Sequence, residues 1–151
     1  MKFQVTKTYG HELGLSACFR QPKAKSHCRF LHGYALSFKF VFETDELDEN
    51  GWVIDFGGLK DLKKWLIDEF DHKTIIAVND PKVTLFREMH IAGVLDLNVV
   101  PAVGCEAFAR MAFDVAQVIV DDVNSDGERS VQLVSAECRE HAGNSAICFG
   151  E

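Results

Sequence analysis

Residues 34–43, YALSFKFVFE, decide much of the fold because apolar and polar side chains alternate along them. Such alternation predicts a β-strand with one buried face. That face carries three phenylalanines, Phe38, Phe40 and Phe42. Residues 2–20, KFQVTKTYGHELGLSACFR, show a similar alternation, which predicts an opening strand, broken near Gly10 and Gly14, that pairs antiparallel with the first.

The chain between these two predicted strands, residues 21–33, contains Pro22 and several flexible polar residues. It is therefore expected to be a long loop, and loops on a rigid scaffold are the commonest location of binding and catalytic residues. From Leu13 to Phe42 the sequence has five Lys or Arg residues and no Asp or Glu. This basic segment is a candidate binding site for a small polyanion, although a solvated loop that happens to be basic has the same composition.

Downstream of these strands, the sequence shows two helical patterns followed by two further strand patterns. Apolar side chains recur at helical spacing in residues 56–70 and 105–122, and they alternate again in residues 129–140 and 144–149. The predicted order of strand, strand, helix, helix, strand, strand gives a single α+β domain over residues 1–151. In that domain, an antiparallel four-stranded sheet carries both helices on one face. Because such a sheet has two exposed edges, self-association is expected.

The composition is that of an ordinary globular chain, since 47% of the 151 residues are hydrophobic and 26% are charged. No segment reaches the ~20 apolar residues of a membrane span, and the first residues lack the apolar core of a secretory signal, so a soluble cytoplasmic protein is expected. The net charge of −7 argues against a nucleic-acid partner. The five cysteines lack CxxC spacing, which argues against a disulfide framework and against a zinc ribbon.

Two short motifs contain residues suited to proton transfer. Cys28 lies between His27 and Arg29, and neighbouring positive charge favours a reactive thiolate, with an inert buried thiol as the alternative. Asp71 directly precedes His72 after the first predicted helix. Such a carboxylate–imidazole pair can shuttle protons, although a loop histidine is more often a solvated or capping group.

Glu140 ends the third predicted strand, just before the sequence HAGNSA. A carboxylate accepts two hydrogen bonds side by side, so it can hold a planar N–C–N edge such as a guanidine or the amino-pyrimidinone edge of a pterin. A solvated glutamate at a strand end is the alternative interpretation.

Several of these stretches together resemble the 6-pyruvoyl-tetrahydropterin synthase and 6-carboxytetrahydropterin synthase family over nearly the whole chain. The matching stretches, in the family's order, are SACFR, CRFLHGYALSF, GWVIDFGGLKDLK, FDHKT, GCEAFA and REHAGNSA. The resemblance implies the T-fold, a four-stranded antiparallel sheet with two helices on one face, assembled into trimeric barrels that stack as hexamers with active sites at subunit contacts. The three residues between Cys28 and His32 resemble the spacing of the carboxytetrahydropterin branch, which serves queuosine biosynthesis.

The resemblance also implies an activity and residue roles. A 6-carboxytetrahydropterin synthase is a carbon–carbon lyase that converts 7,8-dihydroneopterin triphosphate to 6-carboxy-5,6,7,8-tetrahydropterin, with release of acetaldehyde and triphosphate. Its catalytic residues correspond to Cys28, Asp71 and His72. Its pterin-binding glutamates correspond to Glu140 and Glu106. Arg20 and Arg29, in the basic segment, are the candidate residues for binding the phosphates. A related dihydropterin lyase or epimerase, and a non-catalytic pterin-binding or assembly module, are the alternatives.

The family also binds zinc through three histidines, and here the chain departs from the pattern. The corresponding positions are Phe19, His32 and Tyr34, so only His32 is a ligand of the family type. Because a catalytic zinc normally has three protein ligands and phenylalanine has no lone pair, the zinc site is expected to be absent or severely weakened. The alternative is a zinc site with replacement ligands from His27, Cys28 or Tyr34. Tyr34 can instead donate a hydrogen bond to the substrate, or simply fill space.

Overall fold

The strand β3 (His32–Thr44) is the centre of the sheet and contains the alternating segment 34–43. The structure is a computed structural model that describes all residues, 1–151. Its strands and α-helices, in chain order, are β1 (Phe3–Tyr9), β2 (Leu15–Phe19), β3 (His32–Thr44), α1 (Lys60–Phe70), β4 (Lys73–Ala77), α2 (Val83–Ile91), β5 (Asp96–Val100), α3 (Cys105–Val123), β6 (Gln132–His141) and β7 (Asn144–Phe149).

Strand β3 pairs with both strands of the opening segment. β2 lies antiparallel to its first half, with Leu15 opposite Leu36, and β1 lies antiparallel to its second half, with Tyr9 opposite Phe38. Between β1 and β2 the chain makes one 3₁₀ turn that ends at Gly14, whose φ of 70° is a left-handed conformation that glycine adopts without steric cost. The predicted break in the opening strand is therefore confirmed.

The prediction of a four-stranded antiparallel sheet with two helices is wrong in its counts and in its strand directions. The sheet has seven strands, in the order β5-β4-β2-β3-β6-β7 with β1 also on β3, and the chain has three α-helices. β4 pairs parallel with β2, and β5 pairs parallel with β4, so the sheet is mixed. Four of the five residues of β4, KTIIA, are buried, so the strand has no apolar–polar alternation that would mark it in the sequence.

The core lies between the sheet and the helices α1 and α3. All three phenylalanines of the β3 face are fully buried. Phe70 of α1 packs with ring centroids 4.9 Å from Phe38 and 5.2 Å from Phe108 of α3. Burial of each such side chain contributes about 1.5–3 kcal/mol to stability. This packing joins the middle of β3 to the first turn of α3 through Phe70 of α1.

α3 is the longest helix, with 19 residues, and α1 and α2 have 11 and 9. None of the helices combines the length and the apolar character that crossing a membrane requires.

Candidate active site

The candidate site begins where β2 ends and β3 starts, because the three positions that correspond to zinc ligands meet there. Phe19 lies opposite His32 in the β2–β3 ladder, and Ala17 lies opposite Tyr34. The Phe19 ring centroid lies 5.1 Å from that of His32 and 6.2 Å from that of Tyr34, and His32 and Tyr34 are 5.6 Å apart. The three side chains therefore form one aromatic cluster on the helix side of the sheet.

His32 has a defined tautomer in its neutral form. Its Nδ1 lies 2.7 Å from the carbonyl oxygen of Phe30. Because a carbonyl only accepts hydrogen bonds, Nδ1 donates, and Nε2 is left with a lone pair. His32 can therefore accept a hydrogen bond from a bound molecule.

Tyr34 connects this cluster to two of the predicted site residues. Burial raises the pKa of Tyr34 above its ordinary value, and the nearby charges of Glu140, Cys28 and Cys105 raise it further. The Tyr34 ring also lies 5.9 Å from the imidazole of His141. No group of the chain forms a hydrogen bond with the Tyr34 hydroxyl. Cys28 and Glu140, predicted as catalytic thiol and ring anchor, are thus both close enough to the phenol to influence its ionisation.

Hydrogen bonds within residues 21–29 hold the loop that carries Cys28. Cys28 is the middle residue of a 3₁₀ turn, His27–Arg29, whose N-cap Ser26 accepts a hydrogen bond from the backbone amide of Cys28 at 3.4 Å. The carbonyl of Cys28 in turn accepts a hydrogen bond from the amide of Gln21 at 2.9 Å. Residues 21–29 therefore form a closed loop that presents the thiol at a fixed place.

Arg29 keeps part of its guanidinium free. Its Nη1 donates to the carbonyls of Lys25 and Ser26, at 3.2 and 3.1 Å, and the guanidinium lies 4.2 Å from the ring centroid of Phe30. Nε and Nη2 have no partner within the chain. Arg29 is therefore available to an anion, and its role as a phosphate ligand stays a prediction.

Arg20 differs from Arg29 because it keeps no guanidinium nitrogen free. Its Nε and Nη2 donate to the two carboxylate oxygens of Asp80, at 2.8 and 2.6 Å, and its Nη1 donates to the carbonyl of Arg29 at 3.2 Å. The Asp80 side chain is 1% exposed, and its ion pair with Arg20 holds the pKa of Asp80 below its usual value. Arg20 is thus hydrogen-bonded within the chain through all three of its guanidinium nitrogens, and its role as a phosphate ligand stays a prediction. Asp80 was not predicted as part of the site, and the turn sequence NDP was the available signal.

Asp71 and His72 form the predicted pair at the end of α1. The Nδ1 of His72 lies 2.8 Å from Oδ1 of Asp71, and the imidazole is 83% exposed. The backbone of His72 has a φ of 58°, which is rare for a residue other than glycine, and its amide donates to the carbonyl of Ser16 at 2.6 Å. The imidazole is therefore oriented by the carboxylate and presents its Nε2 to solvent. Within one chain, no hydrogen bond or ring contact links His72 to Cys28 or Glu140.

Glu106 and Glu140 both lie near a buried pair of thiols. A hydrogen bond with Cys105, together with burial, raises the pKa of the Cys138 thiol, and the charges of Glu140 and Glu106 raise it further. Glu106 lies in the first turn of α3, where the helix dipole stabilises a carboxylate. The two glutamates thus approach the site from β6 and from α3. The thiol pair was not predicted, because nothing in the spacing of the cysteines shows that these two meet.

The start of α3 is also tied to the loop of residues 21–29. Gly104 precedes the helix with a φ of 111°, and a Cβ atom there would lie 2.8 Å from Nε2 of Gln21. That Nε2 donates to the carbonyl of Val103 at 2.7 Å. Only glycine allows this close approach between the loop and the helix that carries Glu106.

Comparison of the sequence with known proteins finds relatives along most of its length. The family described as 6-pyruvoyl tetrahydropterin synthase matches residues 10–151. The 6-carboxy-5,6,7,8-tetrahydropterin synthase of Aquifex aeolicus is 29% identical over 148 residues, which cover 89% of this chain and 91% of that protein. The protein of the same name from Rickettsia conorii is 38% identical over 60 residues, which cover 39% of this chain and 44% of that protein.

Solved structures share the fold at low sequence identity. An uncharacterized protein from Wolinella succinogenes has a TM-score of 0.84 at 19% identity, with 100% of this chain and 99% of that chain covered. A 6-pyruvoyl tetrahydropterin synthase from Plasmodium falciparum has a TM-score of 0.70 at 14% identity, with 99% of this chain and 98% of that chain covered. At such identities the likeness shows the fold alone.

Proposed function

Because the chain belongs to the 6-pyruvoyl tetrahydropterin synthase family, we propose that it is a lyase that acts on a dihydropterin. The reaction we propose is the one for which the Aquifex aeolicus relative is named, synthesis of 6-carboxy-5,6,7,8-tetrahydropterin. The substrates are then 7,8-dihydroneopterin triphosphate and water, which supplies the second carboxylate oxygen, and acetaldehyde and triphosphate are released. We place the reaction in the pathway to queuosine, in the cytoplasm. In this proposal the protein has no nucleic-acid or membrane partner.

The observation that carries this proposal is the packing of the Tyr34 ring 5.9 Å from His141, the residue after Glu140, with Cys28 and Glu140 both close enough to raise the pKa of Tyr34. A thiol suited to proton transfer and a carboxylate suited to the amino-pyrimidinone edge of a pterin thus share one neighbourhood. Glu106 reaches the same region from α3 and is a second acceptor for that edge. Such a combination is what recognition of a pterin next to a reactive side chain requires.

Asp71 and His72 complete the proposed proton-transfer machinery. The Asp71 carboxylate fixes the imidazole so that Nε2 can exchange a proton with substrate. Because nothing in one chain links His72 to Cys28, we place His72 of a neighbouring copy opposite Cys28. The site is then complete only in the assembled protein.

Self-association is favoured by the edges of the sheet. β1 pairs only with β3, and β7 pairs only with β6, so both have an unpaired edge. An apolar groove of about 450 Å³ runs beside β1, and its exposed aromatic side chains are Phe3, Trp52 and Phe56. A second copy of the chain that pairs with β1 would cover this groove and remove the free edge. The trimer or hexamer implied by the resemblance is the assembly we propose.

The basic loop supplies the phosphate site in this proposal. Arg29 retains two free nitrogens, and Lys23 and Lys25 precede it in a segment without carboxylates. A triphosphate is a polyanion that suits several cations on one short loop. Arg20 contributes indirectly, because its contacts to Asp80 and to the carbonyl of Arg29 hold the loop in place.

The experiment is incubation of the purified protein with 7,8-dihydroneopterin triphosphate, with the pterin product and acetaldehyde separated by chromatography. We expect both products, and we expect Cys28→Ala to lower kcat by about 100-fold or more because it removes a proton-transfer group. Cys148→Ala, which removes a thiol from β7, is the control and should retain the wild-type rate. No turnover of any dihydropterin by the assembled, zinc-supplemented protein would contradict the proposal.

A non-catalytic pterin-binding module is a second candidate, because two of the three family zinc positions are Phe19 and Tyr34. It predicts quenching of pterin fluorescence without any product, and the same behaviour in the Cys28→Ala variant. A related lyase or epimerase predicts turnover of dihydroneopterin itself. The same product analysis, repeated with dihydroneopterin as substrate and combined with the fluorescence measurement, separates all three candidates.

A further inference from the structure

The cluster of Phe19, His32 and Tyr34 retains the geometry of a shared site but not the chemistry of a zinc site. The three side chains converge, with ring centroids 5.1 to 6.2 Å apart. Phenylalanine has no lone pair, and a neutral phenol is a poor zinc ligand, so one imidazole remains where a catalytic zinc needs three protein ligands. No group of three or more His, Cys, Asp or Glu side chains of the chain is arranged to bind a metal ion. The residues present therefore do not fit zinc.

Phe19 is built into the core rather than left at the edge of an open cavity. Its side chain is 2% exposed, and its ring packs edge-on against Phe108 of α3 at 5.1 Å. The volume next to His32 is thus occupied by an aromatic ring that belongs to the hydrophobic core. A metal ion at this place would have to displace that packing.

Two polar atoms of the cluster are left for another use. The Nδ1 of His32 donates to the carbonyl of Phe30, which leaves Nε2 as an acceptor. The Tyr34 hydroxyl has no partner in the chain, and its ring lies nearly perpendicular to His32, at 87°. One acceptor and one donor, on rings whose centroids lie 5.6 Å apart, match a hydroxyl-bearing side chain, since each hydroxyl both donates and accepts.

We infer that this protein works without zinc, and that Tyr34 Oη and His32 Nε2 bind the side-chain hydroxyl oxygens of the dihydropterin. This inference rests on the proposed function for the identity of the ligand, but the absence of a zinc site is independent of it. The hydroxyl of Tyr34 donates to one substrate oxygen, and the imidazole of His32 accepts from the other. The hydroxyls are then oriented by hydrogen bonds from the protein instead of by a metal.

The first test is zinc binding by equilibrium dialysis of the assembled protein, with metal content measured by mass spectrometry. We expect the wild type to retain less than roughly 0.1 zinc per chain, and a double variant, Phe19→His with Tyr34→His, to bind about one. Adding His32→Ala to the double variant should abolish that binding. One zinc per wild-type chain, lost in the single variant His32→Ala, would overturn the inference. A double variant that is folded by circular dichroism yet binds no zinc would overturn the assignment of this cluster as a former metal site. If the double variant does not fold, the wild-type result decides alone.

The second test determines whether turnover depends on a metal ion or on Tyr34. Chelator-treated wild type should keep its rate, and Tyr34→Phe should lower kcat by about 100-fold, since it removes one preorganised donor. The matched control is Tyr9→Phe, because Tyr9 is the other tyrosine and its hydroxyl donates to the carbonyl of Leu59 at 3.3 Å. A rate that falls on chelation and returns only with zinc, or a Tyr34→Phe variant as fast as the control, would overturn the inference. Absence of turnover in treated and untreated samples alike would instead reject the proposed function, and zinc binding would still decide whether the site is metal-free.

Discussion

At the scale of single residues, the ion pair of Arg20 and Asp80 shows how the loop of residues 21–29 is kept in place. The two carboxylate oxygens of Asp80 accept hydrogen bonds from Nε and Nη2 of Arg20, and the carboxylate is almost fully buried. Breaking a buried pair leaves one charge without compensation, which costs about 3–5 kcal/mol. The pair therefore belongs to the framework of the site.

We expect Asp80→Asn to lower the free energy of unfolding by about 3 kcal/mol in urea denaturation at neutral pH. Asp114→Asn, which breaks the exposed pair with Arg110, should cost less than about 0.5 kcal/mol. Because Arg20 lowers the pKa of Asp80 below 3.8, the stabilisation is complete above that pH and is lost as pH falls through the folded pKa. The difference in the free energy of unfolding between wild type and Asp80→Asn should thus become smaller as the pH falls into the acid range. A difference that stays constant with pH would contradict this account.

Glu140 allows a direct test of the ring anchor. Replacing it by Gln removes the negative charge while keeping the shape, so the affinity for dihydrobiopterin should fall about 10- to 100-fold, as expected for loss of a charged hydrogen bond. The quenching of pterin fluorescence on binding measures that affinity. Glu137→Gln is the matched control on the same strand, because Glu137 pairs with Arg139. Equal affinities of the two variants would exclude Glu140 as the anchor.

At the scale of elements, the start of α3 depends on the glycine that precedes it. Gly104→Ala should lower the free energy of unfolding by about 2 kcal/mol, because its φ of 111° is a glycine conformation and the new Cβ would collide with Gln21. Gly58→Ala is the control, since a Cβ there meets no atom within 4 Å. Thermal unfolding of the three proteins measures the effect. If Gly104→Ala and Gly58→Ala have the same midpoint temperature of unfolding, the loop and α3 adjust to the new side chain without strain.

The long elements could be predicted from the sequence because each has one face toward solvent and one face toward the core. β3, β6, α1 and α3 were found from their periodicity, and the break between β1 and β2 was found from Gly10 and Gly14. β4 was missed because its residues are buried without alternation, and β5 was missed with it, so the parallel half of the sheet was not foreseen. Asp71 and His72 are neighbours in sequence and were identified as a pair. The contact of Arg20 with Asp80 spans 60 positions, and no local pattern reveals it.

At the scale of the whole molecule, the sheet has free edges and an apolar groove beside β1. Trp52 lines this groove and is 48% exposed. If a second copy covers the groove, Trp52→Glu should shift the protein to smaller species in sedimentation velocity, because a charge would be buried at the contact. Ile91→Glu, at an 83% exposed position on α2, is the control and should sediment as the wild type. A wild type that is monomeric at micromolar concentration would contradict the proposed assembly.

The central claim is that a pterin binds against Tyr34, with its ring held by Glu140 and its side chain facing Cys28. A crystal structure of the assembled protein soaked with dihydrobiopterin tests it most directly. The account predicts the amino-pyrimidinone edge on the carboxylate of Glu140, the side-chain hydroxyls between His32 and Tyr34, and a His72 from a neighbouring copy next to the thiol. A pterin bound elsewhere, with these residues on separate surfaces of the assembly, would contradict it.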